Sequence, residues 1–340
     1  MRVMQVMAGA AHGGAEAFFT RLAPALDRAG IAQQLVIRRH AERAAVLRAA
    51  GLTALEFAFG GPLDFVTGHR LNAAIKRFQP DIVLSWMNRA TQFCPIGRHV
   101  HAARLGGYYT LANYRRCDHL IGNTRDICDY LIDAGWPRAR TWYLPNFVDA
   151  AAAPPVARAS LDTPDGAPLV LALGRLHENK AFDVLLDALA QAPGTYLWLA
   201  GAGPQGDALL AQAARLGIGE RVRFLGWRDD PAALLAACDA LICSSRHEPL
   251  GNIVIEAWAQ DRPVIATRSQ GPSALIDDGV SGILTPLDDA AALGAAIRRV
   301  TGSLDLSGTL VIGGRTAYEA GFTEEIVVSR YLEFFASVTG

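Results

Sequence analysis

Apolar positions fall into short runs that alternate with stretches of helical spacing. Val3–Ala8 is an apolar run ended by Gly9, and Ala15–Ala29 repeats its apolar residues at Phe18, Leu22 and Leu26 before Gly30 stops it. Gln34–Arg38, Asp81–Trp86 and Asp118–Gly122 read as further strands. Thr124–Ala134 reads as a helix ended by Gly135, and Trp142–Leu144 closes this half at Pro145. Ala150–Pro168 is rich in Ala, Pro and Asp, has no periodicity and reads as a linker. Beyond it, strands are expected at Leu169–Leu173, Thr195–Ala200, Val222–Leu225, Ala240–Cys243 and Val264–Ala266. Helices are expected at Phe182–Gln191, Asp207–Leu216 and Ile253–Gln260, and Glu324–Phe335 is an amphipathic segment able to pack back on either half. Such alternation implies α/β architecture: two Rossmann-like βαβ domains, 1–150 and 151–322, facing each other across a cleft. Ligands are then expected at the carboxyl ends of strands.

Composition narrows the class. A chain of 340 residues that is 51% hydrophobic and 19% charged can bury a core, which excludes disorder and suggests two domains. The five Cys show no CxxC pair and no metal-ligand spacing, so they read as buried thiols in a reducing compartment. The longest uncharged run, Ala188–Gly206, is broken by Pro193, Gly194 and a glycine cluster, so no membrane span is expected. The chain opens directly on a strand, not a signal peptide, and a cytoplasmic location is expected.

The net charge of −1 hides an asymmetry: residues 1–145 hold 18 basic and 10 acidic residues (+8), residues 146–340 hold 14 and 23 (−9). The basic half suits an anionic acceptor or anionic lipid, giving a peripheral position on the inner face of the cytoplasmic membrane; no feature suggests nucleic acid. Because 30 of the 32 basic residues are Arg, Lys76 and Lys180 stand out. Lys76 lies on an amphipathic stretch and is expected to be solvated.

Four features can carry chemistry. Gly13-Gly14-Ala15-Glu16 follows the first strand, where glycines let backbone approach a ligand and a helix N-terminus favours an anion; the plain alternative is a tight turn with Glu16 complementing the helix dipole. Gly174-Arg175-Leu176 with Lys180 places two cations after a strand, enough to neutralise a diphosphate without a metal; the alternative is a pair of surface cations near Glu178 and Asp183. Gly201-Ala202-Gly203-Pro204-Gln205-Gly206 is formally a dinucleotide fingerprint. It follows the second strand of its domain, however, and no acidic residue ends the next strand at Leu225-Gly226-Trp227, so an ordinary tight turn fits better. Lastly, Glu248 and Glu256 stand eight apart across a loop-to-helix junction, where a helix starting at Gly251 or Asn252 would point the backbone N–H groups near Leu250–Ile253 at the cleft, a ready phosphate site. The alternative is a loop Glu and a helix Glu paired with nearby Arg.

Together these residues resemble the retaining glycosyltransferases of family 4, of the bacterial polysaccharide and glycolipid type, over nearly the whole chain. Further carriers are Asn123-Thr124, Leu144-Pro145-Asn146, Val222–Gly226, Ser244-Ser245 leading into Glu248, and Pro263–Ala266. The resemblance implies the GT-B fold, with a final helix (about 323–340) crossing back to an acceptor-binding first domain, and a second domain that binds a nucleotide sugar. It implies that Arg175 and Lys180 bind the donor diphosphate, Glu248 the sugar hydroxyls and Glu256 the ribose. Gly203, Leu250, Gly251 and Asn252 would line the donor, Gly13 and Gly14 would close over it, and the base would lie near Trp227. No metal or cofactor is implied beyond the donor itself, UDP- or GDP-linked. The acceptor would be a glycan or glycolipid of lipopolysaccharide or exopolysaccharide synthesis.

The chain departs from that pattern in two places. Where relatives carry a His, it reads Arg104-Leu105-Gly106-Gly107, so no general base is named; His12 is a distant candidate. A retaining front-side reaction needs none, because the leaving diphosphate can accept the acceptor proton. Gly271-Pro272-Ser273 stands where relatives often have a second Gly and a Glu. Two other classes remain open: a nicotinamide-dependent dehydrogenase, resting only on Gly201–Gly206, and a non-catalytic sugar-binding protein, resting on the absent His.

Overall fold

A computed structural model describes residues 1–11, 13–61 and 64–340, arranged as two compact units: Met1–Phe147 with Glu324–Gly340, and Val148–Thr323.

The first unit runs β1 (Arg2–Met7), α1 (Gly14–Arg28), β2 (Ala32–Arg38), α2 (Ala41–Ala49), β3 (Ala54–Phe57), α3 (Phe65–Phe78), β4 (Ile82–Trp86), α4 (Met87–Phe93), β5 (Val100–Leu105), β6 (His119–Gly122), α5 (Arg125–Asp133) and β7 (Thr141–Tyr143). Its seven strands are all parallel, in the order β3-β2-β1-β4-β5-β6-β7. The central β4 is buried at every position, as a strand covered on both faces must be. Local chemistry sets the helix starts: Thr124 and Asp64 accept the N–H groups of Ile127 (3.1 Å) and Thr67 (3.0 Å). Phe18, Phe19 and Trp86 form the aromatic centre of the core.

The second unit continues with β8 (Leu169–Leu173), α6 (Phe182–Ala190), β9 (Tyr196–Ala200), α7 (Gly206–Arg215), β10 (Val222–Gly226), α8 (Pro231–Ala237), β11 (Ala240–Cys243), α9 (Asn252–Ala259), β12 (Val264–Thr267), α10 (Gln270–Leu275), β13 (Ile283–Thr285), α11 (Ala290–Thr301) and α12 (Leu304–Gly321). Its sheet is parallel, in the order β10-β9-β8-β11-β12-β13. The final helix, α13 (Glu324–Thr339), belongs to the first unit, where Phe334 and Phe335 enter the core.

The segment read as a linker is not one throughout. Val156 donates its N–H to Ala233, and the Arg158 guanidinium ties Ala237 (2.8 Å), Ala167 (2.9 Å) and Asp239 (2.7 Å) together. A lone arginine with no periodic neighbours carries these contacts, which is why the pattern of apolar residues did not show them. No helix among the described residues is long and apolar enough to cross a membrane.

Candidate active site

Strand order in the second sheet reverses between β8 and β11, and at such a switch point the two following loops diverge and leave a crevice at the carboxyl ends. The loop after β8 carries Gly174, Arg175 and Lys180; the loop after β11 carries Ser244 to Gly251. Hydrogen bonds lace the two together. The Ser244 hydroxyl donates to the Lys180 carbonyl (2.8 Å), and the His247 N–H to the Asn179 carbonyl (3.2 Å). Arg246 grips Asp183 with two nitrogens (3.0 and 2.7 Å) and also pairs with Asp288.

Within this frame the Lys180 ammonium meets the Glu248 carboxylate, with both side chains largely buried at 22% and 15% exposure. Burial opposes the charge on Lys180, yet the charge and hydrogen bond of Glu248 outweigh it, and the ammonium pKa lies above its ordinary value. The other Glu248 oxygen accepts the N–H of Gly251 (3.3 Å). Glu248 is therefore paired with a lysine and not with an arginine; Arg246 is already committed to Asp183 and Asp288. Arg175, on the same loop as Lys180, is exposed and has no ion-pair partner among the described residues.

Gly251 has φ of +80° and caps α9, which Asn252 begins; Leu250 is 7% exposed, so only its backbone can serve a ligand. Glu256 lies half-buried one turn into α9. A Cβ on Gly271 would stand 2.4 Å from the Leu250 backbone carbon, and the Gly271 N–H donates to the Glu248 carbonyl (2.7 Å). This close approach explains why a glycine stands there.

The formal dinucleotide fingerprint has a packing purpose. A Cβ on Gly201 would lie 1.8 Å from the Gly174 carbonyl oxygen, and one on Gly203 would lie 2.4 Å from the Leu176 oxygen. Both glycines let the β9 loop seat against the β8 loop, fixed by the Leu176 N–H to Ala202 bond (3.1 Å). Trp227 stands at the end of the edge strand β10, 66% exposed, with its indole N–H on Asp229 (2.8 Å).

In the first unit Gly13 caps α1 and Gly14 begins it. Glu16 does more than face the helix dipole: it is 7% exposed and accepts the Ala10 N–H (2.7 Å). A Cβ on Gly9 or Gly13 would lie 2.0 or 2.4 Å from its oxygens, so these glycines make room for the protein's own carboxylate. Arg43 holds the same loop through the Ala10 and Ala11 carbonyls (2.5 and 3.2 Å). His12 lies outside the described residues.

Arg104, in the stretch where the resemblance expects a His, is 1% exposed. Its guanidinium lies 4.6 Å from the Phe18 ring centre and 4.9 Å from that of Trp86, and it bonds the Tyr331 hydroxyl (2.8 Å) and Asn146. No role for Arg104 was apparent in the sequence; an arginine directly beside Ala102, Ala103 and Leu105 was the available signal.

Residues 167–302 match the glycosyl transferases group 1 model, and residues 12–152 match the Glycosyltransferase Family 4 model. The chain is 37% identical over 334 residues to the lipopolysaccharide core biosynthesis glycosyltransferase LpsE of Rhizobium meliloti, covering 96% of each chain. It is 35% identical to LpsD of the same organism, covering 98% of each. The chain belongs to the glycosyltransferases. Among solved structures, Anabaena Alr3699/HepE in complex with UDP and glucose superimposes with a TM-score of 0.86 over 99% of this chain and 100% of that one, at 23% identity. The lipopolysaccharide outer core galactosyltransferase WaaB gives 0.80 over 99% of each, at 18% identity. This glycosyltransferase therefore has the GT-B fold of two Rossmann-like units.

Proposed function

We propose that this glycosyltransferase moves a hexose from a nucleoside-diphosphate sugar to a glycan or glycolipid acceptor of the lipopolysaccharide core, with retention at the anomeric carbon. The observation that carries this reading is the meeting of Lys180 and Glu248 at the β8/β11 switch point, with Arg175 exposed on the same loop as Lys180. Arg175 and Lys180 would hold the diphosphate, Glu248 the sugar hydroxyls and Glu256 the ribose, with backbone at Gly203, Leu250, Gly251 and Asn252 completing the donor site. Trp227 would serve the base. HepE, in its complexes with UDP and glucose, favours a UDP-linked donor over a GDP-linked one; LpsE and LpsD, named for core biosynthesis, favour the acceptor class.

In this mechanism the bond from the anomeric carbon to the diphosphate oxygen breaks and the acceptor oxygen bonds to that carbon on the same face. The acceptor proton passes to the departing phosphate. No side-chain base and no metal is required, because two cations stabilise the charge that develops on the leaving group.

A position on the inner face of the cytoplasmic membrane is part of the proposal. Phe65 and Val66 are 76% and 62% exposed at the start of α3, which also carries Arg70, Lys76 and Arg77. Binding to anionic vesicles that weakens with salt is expected; binding indifferent to salt would remove the electrostatic part.

The direct test is release of a nucleoside diphosphate from a panel of nucleotide sugars, by the wild type and by Glu248→Ala. Release from one donor, lost in the variant, supports the assignment; equal release by both would remove Glu248 from the chemistry.

A further inference from the structure

We propose that the cavity between the loop after β3 and helix α4 of the first unit binds an acceptor bearing a carboxylate or phosphate, and that Arg89 reads that anion. The inference rests on the glycosyltransferase reading above and adds the chemical class of the acceptor.

The strand order of the first sheet reverses between β1 and β4, as that of the second sheet does between β8 and β11. A ligand crevice is expected outside the carboxyl ends there too. Three observations coincide at this edge. The backbone is strained: Phe59, after β3, has φ of +45°, and Met87, after β4, has φ of +61°. Bulky side chains rarely take that conformation, and it persists where the surroundings impose it. Met87 opens α4 and so sets the direction of Arg89, two residues on.

Beside these residues lies a cavity of about 360 Å³ lined by Gly60, Gly61, Arg89, Gln92 and Phe93. Phe93 stands edge-on to Phe59 at 5.5 Å and supplies an apolar wall suited to a sugar's C–H face.

The charge at this cavity is positive and unspent. Arg89 has no ion-pair partner among the described residues, and its bond to the Phe59 carbonyl is long, at 3.4 Å. The neighbouring carboxylate, Asp64, is consumed by the N–H groups of Gly60 (2.8 Å) and Thr67 (3.0 Å) and by the Thr67 hydroxyl (2.6 Å). Arg39 adds its charge to the same loop. A planar guanidinium presents paired N–H groups that match a carboxylate or phosphate edge. The buried Oδ1 of Asn88, next to Arg89 in the chain, lacks a hydrogen-bond partner, so this turn does not satisfy itself internally.

The test uses lipooligosaccharide purified from cells deleted for this gene, in three forms: native, dephosphorylated with aqueous hydrofluoric acid, and carboxyl-reduced. The acceptor KM is measured for the wild type, Arg89→Gln and Arg89→Lys, with melting temperature and UDP affinity as controls for folding and the donor site. Removing the recognised anion should raise the wild-type KM about 10- to 100-fold, the worth of one charged hydrogen bond, and which treatment does so identifies carboxylate or phosphate. Arg89→Gln should show the same rise on native acceptor and no further rise on the stripped one, with Arg89→Lys between. A wild-type KM equal on all three acceptors, or an unchanged KM in Arg89→Gln, would overturn the inference and leave the transferase reading standing. No nucleotide release by the wild type from any donor with native acceptor would overturn both.

Discussion

Lys180 and Glu248 are 68 residues apart in the chain and form an ion pair in the second unit. The pair joins the loop after β8 to the loop after β11, strands that are hydrogen-bonded neighbours. An ammonium carries three donors, so one can stay on Glu248 while the others meet phosphate oxygens. On the proposed donor site, Glu248 thereby places the cation and leaves it donors for a diphosphate; its second oxygen pins Gly251 at the start of α9.

This pairing sets different outcomes for the two partners. On the proposed donor site, Lys180→Ala would remove a charged hydrogen bond to phosphate, worth about 1.5–3 kcal/mol, so UDP affinity should fall roughly 10- to 100-fold. Glu248→Gln keeps the shape but loses the charge, so kcat should collapse while UDP affinity holds or improves. Isothermal titration with UDP and steady-state kinetics on both variants separate these effects. UDP affinity lost equally in both would mean that Glu248 acts only through Lys180.

Gly271→Ala tests the backbone behind the site. The new methyl group would meet the Leu250 carbon at 2.4 Å and the Glu248 carbonyl oxygen at 2.8 Å, so the Glu248–Leu250 backbone must move. Overpacking of this kind costs about 1–3 kcal/mol. The melting temperature should drop, and donor turnover should drop further than the loss of folded protein explains. A crystal structure of the variant with Leu250 unmoved would contradict this account.

The loops that carry the candidate site were legible in the sequence, but not the pairing of Lys180 with Glu248. β8 and β11 run over Leu169–Leu173 and Ala240–Cys243 as the apolar pattern indicated, because strands buried on both faces leave uninterrupted apolar runs. β5 escaped because His101 and Arg104 interrupt it, and their partners, Ser85 and Tyr331, lie 16 and 227 residues away. Helix α12 escaped because Gly308, Gly313 and Gly314 lower its helical signal; Gly314 is there because a Cβ would lie 2.3 Å from the Trp258 ring. The Lys180–Glu248 contact depends on strand order, which periodicity does not encode.

Arg104 fastens α13 to the first unit. Tyr331→Phe removes one charge-assisted hydrogen bond and should cost about 1.5–3 kcal/mol of unfolding free energy. Arg104→Met also loses the contacts with Phe18 and Trp86 and leaves Asn146 without its guanidinium partner, so it should cost more. Hydrogen exchange in 324–340 should accelerate in both variants. Unchanged protection there would show that Phe334 and Phe335 alone hold the helix.

Acid should weaken the first unit through His101. This side chain is 4% exposed, with Nε2 2.9 Å from the Ser85 hydroxyl. Burial, reinforced by His99, pushes its pKa down to about 4 against the opposing charge of Asp118 and the Arg116 backbone. A histidine whose pKa is lowered on folding stabilises the fold fully above its unfolded pKa, near 6.5. That contribution is lost as pH falls from about 6.5 to about 4, because the unfolded chain takes up the proton first. At pH 5 the loss is about 2 kcal/mol, at roughly 1.4 kcal/mol per pH unit, and His99, also lowered by burial, adds in the same direction. Urea unfolding at pH 7.5 and pH 5 should show this drop in the wild type and a smaller one in His101→Gln, which retains a polar group toward Ser85. An identical pH dependence in the two proteins would assign acid sensitivity to other groups.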